Sequence, residues 1–157
     1  MKVKIDRISV LLLAAAVVLG LALERQNGHR VQARQWIGPS LQIVPLKGPP
    51  AFRSNNQAVL FFETKGVQGP LHGAVVITGE KIENVFVTVS SEGIDRRALH
   101  DDRDFLQSFS GKAARSPLVV DAISGATISS QLVINAVSER LQQWEHHIKN
   151  DERNGRF

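Results

Sequence analysis

The 157-residue chain contains no cysteine. That absence excludes disulfides, iron–sulfur ligation, thiol redox chemistry and the Cys-x-x-Cys-His attachment of c-type haem. If the protein moves electrons, it borrows a cofactor held by other chemistry. No Ser-His-Asp spacing, metalloprotease motif or phosphate-loop lysine motif occurs, so hydrolase chemistry has no support. The net charge is +4, but no basic stripe interleaved with aromatics accompanies it, and nucleic acid is not an expected partner. No internal repeat is evident.

Long hydrophobic runs are also scarce. The one that stands out, Ile8 to Leu23, follows Lys2, Lys4 and Arg7 and is closed by Glu24 and Arg25. As a helix its sixteen residues reach about 24 Å, short of the roughly 30 Å hydrocarbon core. Snorkelling flanks or local thinning of the bilayer closes such a gap. A signal peptide fits the basic start and apolar centre equally well. No clear Ala-x-Ala site follows, Gly20-Leu21-Ala22 being the nearest imitation. Residues 1–23 are therefore read as an uncleaved single-pass anchor in the cytoplasmic (inner) membrane, with a signal peptide as the alternative. The leading basic residues place the remaining chain on the extracytoplasmic, periplasmic side; Arg25, Arg30 and Arg34 pull the other way.

Residues 24–53 are polar, basic and punctuated by Gly38-Pro39, Pro45 and Gly48-Pro49-Pro50. They read as a linker with one short extended piece, Leu41 to Leu46. A flexible linker of that length spans roughly 30 Å root-mean-square. Trp36 within it has two readings, a headgroup-level anchor or a side chain packed onto the domain.

The domain is expected over 54–150, with a tail at 151–157. Ala58 to Glu63 and Gly73 to Thr78 read as short, largely buried strands. After a turn at Gly79-Glu80-Lys81, Val85, Val87 and Val89 alternate with Phe86, Thr88 and Ser90, which makes a hairpin with the preceding strand. Asp101 to Phe109 reads as a short helix burying Phe105, Leu106 and Phe109 and ended by Gly111. Val133, Val137, Leu141, Trp144 and Ile148 form the apolar stripe of a long helix running to about His147. Locally joined strands with helices late in the chain predict an α+β domain built on a small antiparallel sheet.

Between Pro117–Val120 and that long helix stands Asp121-Ala122-Ile123-Ser124-Gly125-Ala126-Thr127. Small residues here leave a hydroxyl accessible at a helix N-terminus, where free N–H groups and the helix dipole favour an anion such as phosphate. The bland alternative for Thr127 is an ordinary helix cap, a role that Ser124 fills equally well. The spacing resembles the flavinylation motif, Asp-x-x-Ser/Thr-Gly-Ala-Thr, of the FMN-binding domain family. Members include the G subunit of Rnf electron-transport complexes and the C subunit of sodium-pumping NADH:quinone reductases. The resemblance covers roughly Gly69 to Leu141. It includes Gly69-Pro70-Leu71-His72-Gly73, Gly79-Glu80-Lys81-Ile82 with its Val-rich strand, and Phe105-Leu106-Gln107-Ser108-Phe109-Ser110-Gly111-Lys112. One departure is Ser91-Glu92-Gly93-Ile94, where relatives often have Glu-Thr-Pro-Gly.

The resemblance implies a covalent FMN on the Thr127 hydroxyl through a phosphoester bond, in a loop formed by Asp121, Ser124, Gly125 and Ala126. It also implies a separate magnesium-dependent flavin transferase that takes the FMN from FAD. A membrane redox partner and a second electron-transfer protein would complete the relay. The expectation is an electron carrier rather than a stand-alone enzyme. A non-redox assembly subunit of the same fold and a small flavin reductase stay open as alternatives. Asp121 repels phosphate, so it is expected to position the loop or meet the transferase's metal. Lys112 and Arg115 have two readings, partners of the flavin's charge or solvated surface. Adjacent helical residues point about 100° apart, so His146 and His147 are not expected to chelate together. His100, Asp101, Asp102 and Asp104 read as charge near a helix start rather than as a metal site.

Overall fold

The computed structural model describes residues 27–66, 69–89, 103–120 and 127–155. Residues 27–37 form helix α1. Five strands follow: β1 (Gln42–Val44), β2 (Ala51–Ser54), β3 (Gln57–Gly66), β4 (Gly69–Thr78) and β5 (Lys81–Val89). Two further helices are α2 (Arg103–Gln107) and α3 (Thr127–Arg153). The strands lie in the sheet in sequence order, each antiparallel to the next. Short turns make this meander possible. Asn55-Asn56 joins β2 to β3, with Asn55 at φ 51°, and Gly79-Glu80 joins β4 to β5, with Gly79 at φ 61°. Glycine reaches that region without a Cβ penalty, and asparagine tolerates it better than most residues. The Gly79 N–H donates to the Asn56 carbonyl at 2.7 Å, which ties the two turns together.

The predicted α+β domain with a small antiparallel sheet is what forms, and helices cover both of its faces. Along β3, Ala58, Leu60 and Phe62 point to one face and Val59 and Phe61 to the other, and all are buried. The first face, with Leu71, Val75, Ile77 and Val85, packs under Val133, Val137, Leu141 and Trp144 of α3 and under Phe105 and Phe109 of the α2 segment. The second, with Phe52, Ala74 and Val76, packs under Ala33 and Ile37 of α1. Trp36 lies flat on Phe86, with ring centroids 4.5 Å apart and planes 5° from parallel. Of its two readings, packing onto the domain is the one observed. Leu106 is half-buried rather than buried.

The structure departs from expectation in three respects. The stretch read as a linker contains α1, β1 and β2. Apart from Gly28 in the first turn of α1, its prolines and glycines fall between these elements: Gly38-Pro39 ends α1, Pro45 follows β1, and Gly48-Pro49-Pro50 precedes β2. The strands β3 and β4 are longer than their most apolar cores, because Gly66 and Gly69 still pair. Helix α3 runs beyond His147 to Arg153, into the segment read as a tail. Its last turns carry surface pairs one turn apart, Glu145–Lys149 at 2.8 Å and His147–Asp151 at 3.2 Å. The expected anchor, residues 1–23, lies outside the described residues. Among the described residues no helix is long and apolar enough to cross a membrane.

One side chain fastens α3 to the loop between β1 and β2. Arg140 is buried at 3% exposure and donates to the carbonyls of Lys47 (2.6 Å) and Pro49 (2.8 Å) and to Gln143 Oε1 (2.7 Å). Burial pulls the guanidinium below its ordinary pKa, and Glu139 opposes that shift. Arg140→Met keeps the stem but strands both carbonyls. The expected loss is about 1–3 kcal/mol of stability, read as an earlier midpoint in urea unfolding. An unchanged midpoint would mean the β1–β2 loop does not depend on this clamp.

Candidate functional site

Thr127, the final residue of the seven-residue motif, is the first residue of α3. Asp121, Ser124, Gly125 and Ala126 lie outside the described residues. The helix that starts at Thr127 is 27 residues long and has no acidic residue in its first turn. A helix start exposes unsatisfied N–H groups and a partial positive charge, which Asp or Glu commonly complements. Here no side chain of that first turn supplies the negative charge. The start of α3 therefore suits an external anion, whose stabilisation there is typically about 0.3–1 kcal/mol.

Packing further along fixes where the helix begins. Ser130 is fully buried on the first turn, and Val133, Ile134 and Val137 continue the contact with the sheet. The approach to the motif is fixed as well. Phe105 of α2 and Phe109 just beyond it meet edge to face at 5.2 Å in the core. The chain then runs alongside the start of β5. Gly111 N–H donates to the Ile82 carbonyl, Ile82 N–H to the Lys112 carbonyl (both 2.8 Å), and Ala114 N–H to the Glu80 carbonyl (2.7 Å). Ser110 Oγ adds a bond to the Glu83 carbonyl at 3.1 Å. Closer to the motif, Leu118 and Val120 pack against the core while Val119 between them is 78% exposed.

Of the two cations considered as flavin partners, the structure separates Arg115 from Thr127. Arg115 lines a cleft of about 490 Å³ with Trp144, Glu145, Ile148 and Lys149. Glu145 lies eighteen residues along α3 from Thr127, or about 27 Å at 1.5 Å per residue. Arg115 is thus out of reach of a phosphate on Thr127, and this cleft is a separate feature. Lys112 is held by its backbone to Ile82, just past the β4–β5 turn that borders the same cleft. For Arg115, closeness along the chain does not become closeness to Thr127 in the fold.

Two of the histidines, His147 and His72, face acids. His147 reaches Asp151, His146 is exposed, and His72 faces Glu63 across β3 and β4 at 3.7 Å. Among the described residues no cluster of three His, Cys, Asp or Glu side chains could hold a metal ion. Asp104 is exposed in the first turn of α2, while His100, Asp101 and Asp102 lie outside the described residues.

A helix start suited to phosphate accords with a match to a known family. Residues 66–142 match the sequence model of the FMN-binding domain. They belong to that family. The match takes in β4, β5, α2, the motif and α3 as far as Gln142. No curated protein matches the chain. In this protein the FMN-binding domain does not stand alone. Helix α1, β1, β2 and all of β3 except Gly66 precede the matched segment, and β3 is the central strand of its sheet.

Proposed function

We propose that Thr127 carries FMN through a phosphoester bond and that the protein relays electrons at a membrane. The observation that carries this reading is the coincidence of two things. The matched FMN-binding segment contains a complete flavinylation motif, and the acceptor threonine of that motif is the residue at which α3 begins. When bound, FMN supplies a centre that accepts and returns electrons, which nothing else in a chain without cysteine is suited to supply.

The roles of the residues follow from their chemistry. The Thr127 hydroxyl gives up its proton and forms the new O–P bond, while the phosphoanhydride of FAD breaks and AMP departs. A separate flavin transferase catalyses that exchange. Gly125 and Ala126 keep side chains away from the bulky donor. The N–H groups at the start of α3 face the remaining phosphate charge. Asp121 carries the wrong sign to bind phosphate and serves loop geometry or the transferase's metal. Visible flavin absorbance that survives denaturation and dialysis of protein from its native host tests this reading. A colourless denatured protein would favour a flavin-free assembly subunit instead.

Residues 1–23 act in this reading as a single-pass anchor in the cytoplasmic membrane, with the domain on the extracytoplasmic side between a membrane redox partner and a second electron-transfer protein. N-terminal sequencing of the membrane fraction should return an intact terminus. A mature terminus near Glu24 would refute the anchor and leave a secreted carrier.

A further inference from the structure

Acidic residues are missing from one long stretch of this protein. From Arg25 to Phe62 there are none, while Arg25, Arg30, Arg34, Lys47 and Arg53 fall within that stretch. Those residues build α1, β1, β2 and the first part of β3. Helix α1 covers its own face of the sheet, opposite to α3. Its inner side is defined by Ala33, Ile37, Trp36 and the His29 ring, which lies 4.3 Å from Phe61. At 100° per residue, Val31 points almost directly away from those four positions. It is 57% exposed, and the exposed Arg30 and Arg34, one turn apart, both lie to one side of it, about 100° and 60° round the helix. The outer side of α1 therefore presents two arginines beside an exposed apolar residue, with no carboxylate anywhere on the helix; the nearest described one, Glu63, borders Gly28, His29 and Gln32 at its start.

We propose that this side of α1 rests on a bilayer containing anionic lipid, with Arg30 and Arg34 against headgroup phosphates and Val31 at the interface. Charge complementarity selects lipid phosphate, since a basic residue near an anionic surface gains about fivefold in partitioning. Distance supports it, in a step that rests on the anchor reading above. From Leu23 to Asn27 the chain spans at most about 14 Å even when fully extended, so α1 begins at the membrane surface rather than at the end of a 30 Å linker. The layers then stack outward as α1, sheet and α3, about 10 Å apart. Thr127 lies in the distal layer, and its flavin is presented to partners in the aqueous phase. The domain is held in one orientation, and the short connection fixes which side faces the lipid. The proposal holds for either leaflet.

The absence of native cysteine allows a single fluorophore to be placed by substitution. Full-length protein labelled through Val31→Cys, or through Gln142→Cys on the exposed side of α3, is placed in nanodiscs of phosphatidylcholine with or without phosphatidylglycerol. Headgroup-borne spin labels should quench the fluorophore at position 31 several-fold more than that at 142 when phosphatidylglycerol is present. Arg30→Glu with Arg34→Glu should remove the difference. Equal quenching at both positions, or quenching untouched by the double reversal, overturns the proposal. A chain that never enters nanodiscs sinks the anchor alone. Cosedimentation with phosphatidylglycerol vesicles then decides. Binding weakened about tenfold or more by the double reversal supports the cationic face. No binding overturns it.

Discussion

Thr127→Val protein, produced in a host that loads the natural chain with flavin, will carry no covalent flavin. Valine nearly matches threonine in shape and lacks only the hydroxyl that the phosphoester requires. The cost to the fold is bounded, since a lost capping hydroxyl at a helix start is worth about 1 kcal/mol. Packing of Val133, Val137, Leu141 and Trp144 along α3 holds the helix independently of that hydroxyl. Circular dichroism of the variant should match that of the natural chain, so missing flavin reports missing chemistry rather than unfolding. Thr127→Ser restores a hydroxyl at the same position and should restore a flavin stable to acid precipitation. Flavin that survives acid precipitation in Thr127→Val protein would place the attachment elsewhere.

Gly73→Ala should be the most damaging single methyl that can be added to the sheet. A Cβ at this position in β4 would lie 2.3 Å from Phe62 Cζ and 2.4 Å from the Phe86 carbonyl oxygen. Neither neighbour can withdraw easily. Phe62 faces Gly73 across the β3–β4 ladder with its ring in the core, and the Phe86 carbonyl belongs to the next strand. The ring fills the space that a side chain at position 73 would occupy, an arrangement that suits a glycine in a strand interior. Overpacking of this kind costs about 3 kcal/mol or more where backbone must move. Thermal unfolding should show a much lower midpoint or no folded protein. Adding Phe62→Leu should recover part of the loss, because the two changes share one contact and are not additive. A Gly73→Ala protein as stable as the natural chain would mean the β3–β4 pairing is looser than described.

The parts of this protein that could be read in advance are those where one local signal decides the structure. The stripe from Val133 to Ile148 repeats at helical spacing, and α3 follows it. Gly79-Glu80 stands between two β-rich runs, and a hairpin forms there. The acceptor motif is written in residue identities and needs no fold to be recognised. Residues 27–53 were hidden for the opposite reason. Their elements are short, and β1 has only three residues and β2 four. Stability there comes from distant partners, with Trp36 on Phe86 and Arg140 on the carbonyls of Lys47 and Pro49. Composition alone saw the prolines and glycines between those elements and not the contacts that order them.

A related signal was present but ambiguous. The run Ala58–Phe62 does not alternate between apolar and polar residues, because both faces of β3 are buried. An unalternating run implies a second covering layer, and Ala33, Trp36 and Ile37 ahead of Gly38-Pro39 have the spacing of a helix that could supply it. Arg115 shows the converse limit. It stands twelve residues before Thr127 in sequence, yet it lines a cleft about 27 Å further along α3.

The central claim is a single bond, and a single peptide reports it. Trypsin cutting after Arg115 and Arg140 releases residues 116–140, which contain the whole motif. Mass spectrometry of that peptide, from denatured protein of the native host, should show a mass increased by one FMN less one water. Fragment ions should assign the increase to Thr127 rather than to Ser124, Ser129 or Ser130. An unmodified peptide, or flavin assigned to any of those serines, would contradict the proposed attachment.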